Sequence, residues 1–94
     1  MEKKLAKHIH ISDNVATCVA DITAGETVHV RFDGVETAYV ANQDINFGHK
    51  IALRDIPEGE YIIKYGQPIG KATQDIRVGD WVHTHNVKDH YEVQ

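Results

Sequence analysis

The chain has 94 residues, 41% of them hydrophobic, with 10 Lys and Arg against 14 Asp and Glu and a formal net charge of −4. That length makes one small domain, the apolar share argues against disorder, and the acidic balance offers no basic stripe to nucleic acid. No apolar run approaches the roughly 18–20 residues of a membrane helix, and no apolar segment of signal-peptide type follows Met1-Glu2-Lys3-Lys4-Leu5, so a cytoplasmic domain over residues 1–94 is expected.

In chain order, His8-Ile9-His10-Ile11 alternates polar and apolar residues, which predicts a strand with both histidines on one face. Asp13 to Ile22 admits two readings. Asp13 could cap a helix with Val15, Cys18, Val19 and Ile22 at helical spacing, or Val15 to Ala20 could be a strand. Thr27 to Phe32 alternates, with Val28, Val30 and Phe32 on one side and Thr27, His29 and Arg31 on the other. Asp33-Gly34 is a hairpin signal leading into Val35 to Val40. Ala41 to Phe47 is polar and irregular, which predicts a loop. The core is expected over about 9–86, with 87–94 a tail or a strand that docks on a partner.

A short motif settles the ambiguity. Asp21-Ile22-Thr23-Ala24-Gly25-Glu26, Asp55-Ile56-Pro57-Glu58-Gly59-Glu60 and Asp75-Ile76-Arg77-Val78-Gly79-Asp80 share the pattern Asp-Ile-x-x-Gly-acid, followed at one remove by Val or Ile. Each reads as a strand end, a tight turn with Gly at positive φ, and a new strand. The segments before the second and third copies are too short for helices, so Val15 to Ala20 is read as a strand too. Small residues, Cys18, Ala52 and Ala72, stand three positions before each motif Asp. That marks a crowded repeat position and makes Cys18 a buried packing residue rather than a reactive thiol. A lone cysteine closes no internal disulfide. Many short strands, frequent turns and no convincing helix make the class all-β.

The chemistry-bearing residues concentrate between Gly48 and Asn86. His83-Thr84-His85, read as a strand, places two imidazoles on one face about 6–7 Å apart at Cα. Two ligands fall short of the three that a catalytic zinc site normally has, so a third would come from His10, His49 or a partner chain. Two surface histidines are the plainer reading. Lys50 and Lys64 sit beside glycine-containing turns, Gly48-His49 and Tyr65-Gly66, well placed to hold a carboxylate. The plainer reading there is two solvated lysines. No phosphate-binding loop, nucleophile elbow, Cys-x-x-Cys pair or His-Glu-x-x-His helix occurs.

Four stretches, Asp13-Asn14-Val15-Ala16, Gly48-His49-Lys50-Ile51-Ala52-Leu53-Arg54-Asp55-Ile56, Lys64-Tyr65-Gly66-Gln67-Pro68-Ile69-Gly70 and Val82-His83-Thr84-His85-Asn86, together resemble the N-terminal domain of altronate and galactarate dehydratases. The resemblance runs from about Ile9 to Asn86. It implies a small SAF-like β-clip fold, similar to that of sialic acid synthases and flagellar assembly chaperones. It also implies dehydration of a sugar acid, by loss of the proton α to a carboxylate and of the β-hydroxyl, with a divalent metal such as iron or manganese. The large catalytic domain of that family is not in this chain, which implies a small subunit working with a separate large one, as in the similar small subunit of sulfolactate sulfo-lyase. A non-catalytic module that binds sugar acids or proteins is the other expectation, and exposed strand edges make a homo-oligomer reasonable. The resemblance points to Lys50, Lys64 and Asn14 as substrate-binding, His49 and His85 as catalytic, and His83, His85 and His10 as metal ligands, with the metal held mainly by the partner subunit. His8 matches no family motif.

Overall fold

The computed structural model describes residues 3–89. Among them are nine strands and no helix: β1 Lys4–Lys7, β2 Val15–Cys18, β3 Thr27–Phe32, β4 Val35–Val40, β5 Lys50–Ala52, β6 Tyr61–Lys64, β7 Gln67–Ala72, β8 Trp81–Val82 and β9 Val87–Asp89. A six-stranded sheet runs β4-β3-β1-β2-β5-β8, and a three-stranded sheet runs β6-β7-β9. The all-β expectation holds. Neighbours pair antiparallel except β1 and β3, which run parallel.

The Asp-Ile turns build the cores. The structure contains four of them, not three, because Asp44-Ile45-Asn46-Phe47-Gly48-His49 folds the same way. In each, the sixth residue's N–H donates to the third residue's carbonyl: Glu26 to Thr23, His49 to Asn46, Glu60 to Pro57, Asp80 to Arg77. The turns associate in two pairs. Asp21 Oδ1 accepts from Phe47 N–H, and Asp44 Oδ1 accepts from Ala24 N–H. Asp55 and Asp75 make the same exchange with Val78 and Glu58. Within each pair the isoleucines bridge, Ile22 to Ile45 and Ile56 to Ile76. Each motif glycine donates its N–H to the small residue three positions before the partner's Asp: Gly25 to Ala41, Gly48 to Cys18, Gly59 to Ala72, Gly79 to Ala52. That close approach of backbones explains why those four positions are small, and all four are buried. Cys18 is fully enclosed, and burial pushes its thiol up to about 11, as its packing role requires.

One core lies on each face of the larger sheet. Ala6, Ala16, Cys18, Val28, Val30 and Ile51 join Ile22 and Ile45 on one face. On the other, Val15, Ala52 and Val82 meet Ile56, Ile62, Ala72 and Ile76, with the smaller sheet as the covering layer. The buried joint between the sheets is Asn14. Its N–H bonds Ile63 carbonyl, its Oδ1 accepts from Ile63 N–H at 2.8 Å, and its Nδ2 donates to Tyr61 carbonyl at 2.9 Å.

Three readings of the sequence are corrected. His8 to Ile11 is no strand: β1 ends at Lys7, and Asp13 closes a turn by accepting from His10 N–H at 3.1 Å while donating to His10 carbonyl. His83-Thr84-His85 is likewise a turn. Asn86 Oδ1 takes His83 N–H at 2.9 Å, and Asn86 N–H returns to His83 carbonyl. Val87–Asp89 is not a loose tail but a strand that pairs with β7 of the same chain; the rest of the expected tail lies outside the described residues.

Candidate functional site

The candidate residues gather where β5, β8 and the tip of the β6–β7 hairpin converge. Lys50 opens β5 and pairs across to Val82 of β8. Its stem lines a hollow of about 230 Å³ walled by Ile62, Ile69, Val82 and Val87, with His83 and Thr84 at the mouth. Lys64 ends β6 just before a two-residue turn, in which Tyr65 and Gly66 both take positive φ, 54° and 73°, the geometry of a tight hairpin. Burial first, then the charge of Lys64, pulls the Lys50 ammonium below its ordinary value. Lys50 thus combines an apolar wall with the charge of a second lysine, Lys64, at the hairpin tip.

Four rings stack alongside. His49 and His83 lie 4.1 Å apart at 15°, and Trp81 lies 4.3 Å from His85. Trp81 Nε1–H donates to His49 Nδ1 at 3.1 Å, which fixes the His49 tautomer with its own proton on Nε2. His83 is held below the ordinary imidazole range, by burial first and then by His49, Lys50 and His85. Near neutral pH it is therefore an uncharged imidazole able to accept a proton.

Not every expected residue arrives here as imagined. Asn14 is fully enclosed and its amide is spent on β6, so it ties the sheets together rather than touching substrate; that expectation is corrected. His10 packs its ring against Gly66 at the hairpin tip, with Nδ1 accepting from Ser12 N–H at 3.1 Å. Asp13, which the resemblance included without giving it a role, is buried and accepts from Gly66 N–H at 2.8 Å as well as from His10. It thereby fixes the turn that follows Lys64. Trp81 was likewise unassigned, although it is the chain's only tryptophan and lies two residues before His83.

No group of three or more His, Cys, Asp or Glu among the described residues is arranged to hold a metal ion. The reason is visible in the stack. Parallel imidazoles present faces to one another, not convergent nitrogens, and one nitrogen of His49 is already engaged by Trp81. The described residues do not by themselves fit a divalent metal.

A family model for the altronate/galactarate dehydratase SAF domain matches residues 4–90. The chain belongs to that family. It is 46% identical over 80 residues to an altronate dehydratase of Bacillus subtilis (strain 168), a match covering 85% of this chain and 15% of that protein. It is 43% identical over 75 residues to a galactarate dehydratase (L-threo-forming) of Escherichia coli (strain K12), covering 79% of this chain and 13% of that protein. It is 44% identical over 59 residues to a (2R)-sulfolactate sulfo-lyase subunit alpha of Paracoccus pantotrophus, covering 63% and 88%. The chain thus spans about a seventh of the length of the dehydratases it matches. The SAF domain is shared by lyases that differ in the group they expel.

Proposed function

We propose that this chain is the small component of a carbon–oxygen lyase that dehydrates a sugar acid of altronate or galactarate type, working with a larger catalytic chain. The observation that carries the reading is Lys50 lining an apolar hollow with His83 and Thr84, where His83 stacks 4.1 Å from His49 and the charge of Lys64 at the hairpin tip helps lower the Lys50 pKa. Lys50 and Lys64 would grip the substrate carboxylate. A bound carboxylate relieves their mutual repulsion and lets both stay charged. His49 and His85 would stand on the proton path, with the His83 ring stacked 4.1 Å from His49. Binding energy spent on a remote carboxylate is what positions the reacting carbons.

Iron or manganese would supply acidification of the carbon next to the carboxylate. Since the described residues assemble no three-ligand set, the larger chain would provide most of its ligands, with His10, His83 or His85 offering at most one from this side. Such a complex would work in the cytoplasm. A second reading keeps the architecture and makes sulfolactate the substrate with sulfite as the leaving group. Its support is the 44% identity to a sulfo-lyase subunit alpha.

The test is a pull-down of the tagged chain from its native cells with mass spectrometry of what co-purifies, then turnover of altronate, galactarate and sulfolactate by the complex with added iron or manganese. A stoichiometric larger chain of dehydratase type and sugar-acid turnover are expected. Lys64→Ala should cut turnover at least 100-fold while circular dichroism of the small chain stays unchanged. Full activity in that variant would remove Lys64 from the site, and recovery of the chain alone would leave a binding module in place of an enzyme component.

A further inference from the structure

The face of the larger sheet that carries Lys50 is only half covered. At β2, β5 and β8 the smaller sheet packs on it and builds the second core. Over β4, β3 and β1 no layer of the described residues lies on it. There it forms a hollow of about 620 Å³ lined by the apolar Leu5, Ile9 and Val19 and by Lys3, Lys7 and Arg31. Leu5 and Ile9 are 45% and 49% exposed. Two exposed apolar side chains on a sheet face with no covering layer describe a surface that lacks its second layer.

The pairing register links this bare half to the site. Glu36 sits opposite Arg31, Arg31 opposite Lys7, Lys7 opposite Thr17, and Thr17 opposite Lys50. Cross-strand partners share a face, so one row of side chains crosses five strands from the free β4 edge to the candidate site. With strands about 4.8 Å apart, Arg31 and Lys50 are about 14 Å apart. Three cations, Lys3, Lys7 and Arg31, meet one acid, Glu36, which bonds Lys3 at 2.9 Å and Arg31 at 3.3 Å. A cationic surplus sits here on a chain whose overall charge is −4.

We infer that this half-face is the docking surface for an acidic, apolar-tipped segment of the larger lyase chain, laid across β3 and β1 and leading toward Lys50. The inference rests on the two-chain reading above and adds to it where the larger chain sits. Charge decides the occupant. A second copy of an acidic chain would bring net repulsion, whereas an acidic segment answers Lys3, Lys7 and Arg31 and an apolar side chain fills the space over Leu5 and Ile9. A sheet face continuous with the candidate site also lets the same contact close that site from one side.

The experiment is hydroxyl-radical footprinting of the complex with the larger chain that co-purifies, against this chain alone. Oxidation of Leu5, Ile9 and His29 is expected to fall at least fivefold in the complex. Lys7→Glu combined with Arg31→Glu, both exposed positions, is expected to weaken the complex at least tenfold at low salt, with the milder Lys7→Gln between. Labelling that falls at His83 and His85 but not at Leu5 and Ile9 would overturn the docking surface and leave the two-chain reading standing. Recovery of no larger chain would overturn both. A doubling of mass on concentration, with Leu5 and Ile9 protected in the chain alone, would give the surface to a second copy and overturn the assignment.

Discussion

His49 occupies the position that an acid holds in the other three Asp-Ile turns. Glu26 and Asp80 use their carboxylates to close their own turns, accepting from Thr23 N–H at 2.7 Å and Arg77 N–H at 2.9 Å. A histidine there frees its ring to stack on His83, so one substitution in a repeated turn converts a structural acid into a member of the candidate site. The cost appears in titration. Protonating His83 in the fold is opposed by burial and by its cationic neighbours, which lowers its pKa from 6.5. The folded state then binds a proton less readily than the unfolded chain. The resulting penalty is absent well above 6.5, grows as pH falls from the unfolded value toward the lowered folded one, and is fully present below it. Lys50 carries the same sign at alkaline pH: its penalty is full below its folded pKa and is relieved as pH rises toward 10.5. Melting temperature should therefore decline as pH drops below about 6.5, and His83→Gln should flatten that decline. Scanning calorimetry between neutral and mildly acidic pH checks it; an unchanged slope in the variant would mean that the fold does not lower the His83 pKa.

The repeated turn is the element that shapes the molecule, and its glycines test how. Gly25 takes φ 90° in open space, so Gly25→Ala meets only backbone strain, about 1–2 kcal/mol. Gly79 has a similar φ of 91°, yet a Cβ there would land on the carbonyl oxygen of Val40. The Gly79 turn also receives Asn42 N–H and donates to Ala52, so it cannot move aside. Gly79→Ala should cost at least 2 kcal/mol more than Gly25→Ala in urea unfolding, and equal costs would mean that the turn relaxes freely. Much at this scale was legible in the sequence. Alternation placed β3 and the Asp33-Gly34 hairpin signal placed β4 at their observed bounds, and the motif carried β2 against its helical reading. The fourth turn escaped because His49 breaks the acid in the pattern and its surroundings are polar. The two histidine pairs were misread for another reason: polar-apolar or His-x-His alternation looks the same in a turn as in a strand. What distinguishes them is an Asx three residues after one histidine of each pair. Asp13 follows His10, and Asn86 follows His83, and each side chain takes that histidine's N–H. The glycine turns beside Lys50 and Lys64 were legible, whereas the buried position of Asn14 depends on a sheet-to-sheet contact 49 residues away in sequence.

At the scale of the whole molecule, two cores sit on opposite faces of one sheet, each built by a pair of turns that exchange the same hydrogen bonds. Such a duplicated plan invites separate unfolding of the halves, but the strands between them argue otherwise. β2 gives Ala16 and Cys18 to one core and Val15 to the other, and β5 divides Ile51 and Ala52 in the same way. Losing either core therefore strips one face of the strands that support the other. The candidate site straddles the division. Trp81 packs on the first core, Lys50 and Val82 border the second, and Lys64 is held near the site by Ile62 in the second core, by Asn14 on β6 and by Asp13 on the hairpin tip. Unfolding should be a single cooperative transition. Ile62 is fully enclosed in the second core, and Ile62→Ala should cost about 3 kcal/mol. That variant should shift the Trp81 fluorescence transition and the circular dichroism transition by the same amount, although Trp81 packs on the opposite core. If fluorescence held its midpoint while circular dichroism moved, the halves would be independent. Lys64 could then leave Lys50 without unfolding the domain, and the carboxylate grip proposed for the two lysines would have to be assembled by the partner rather than by this fold.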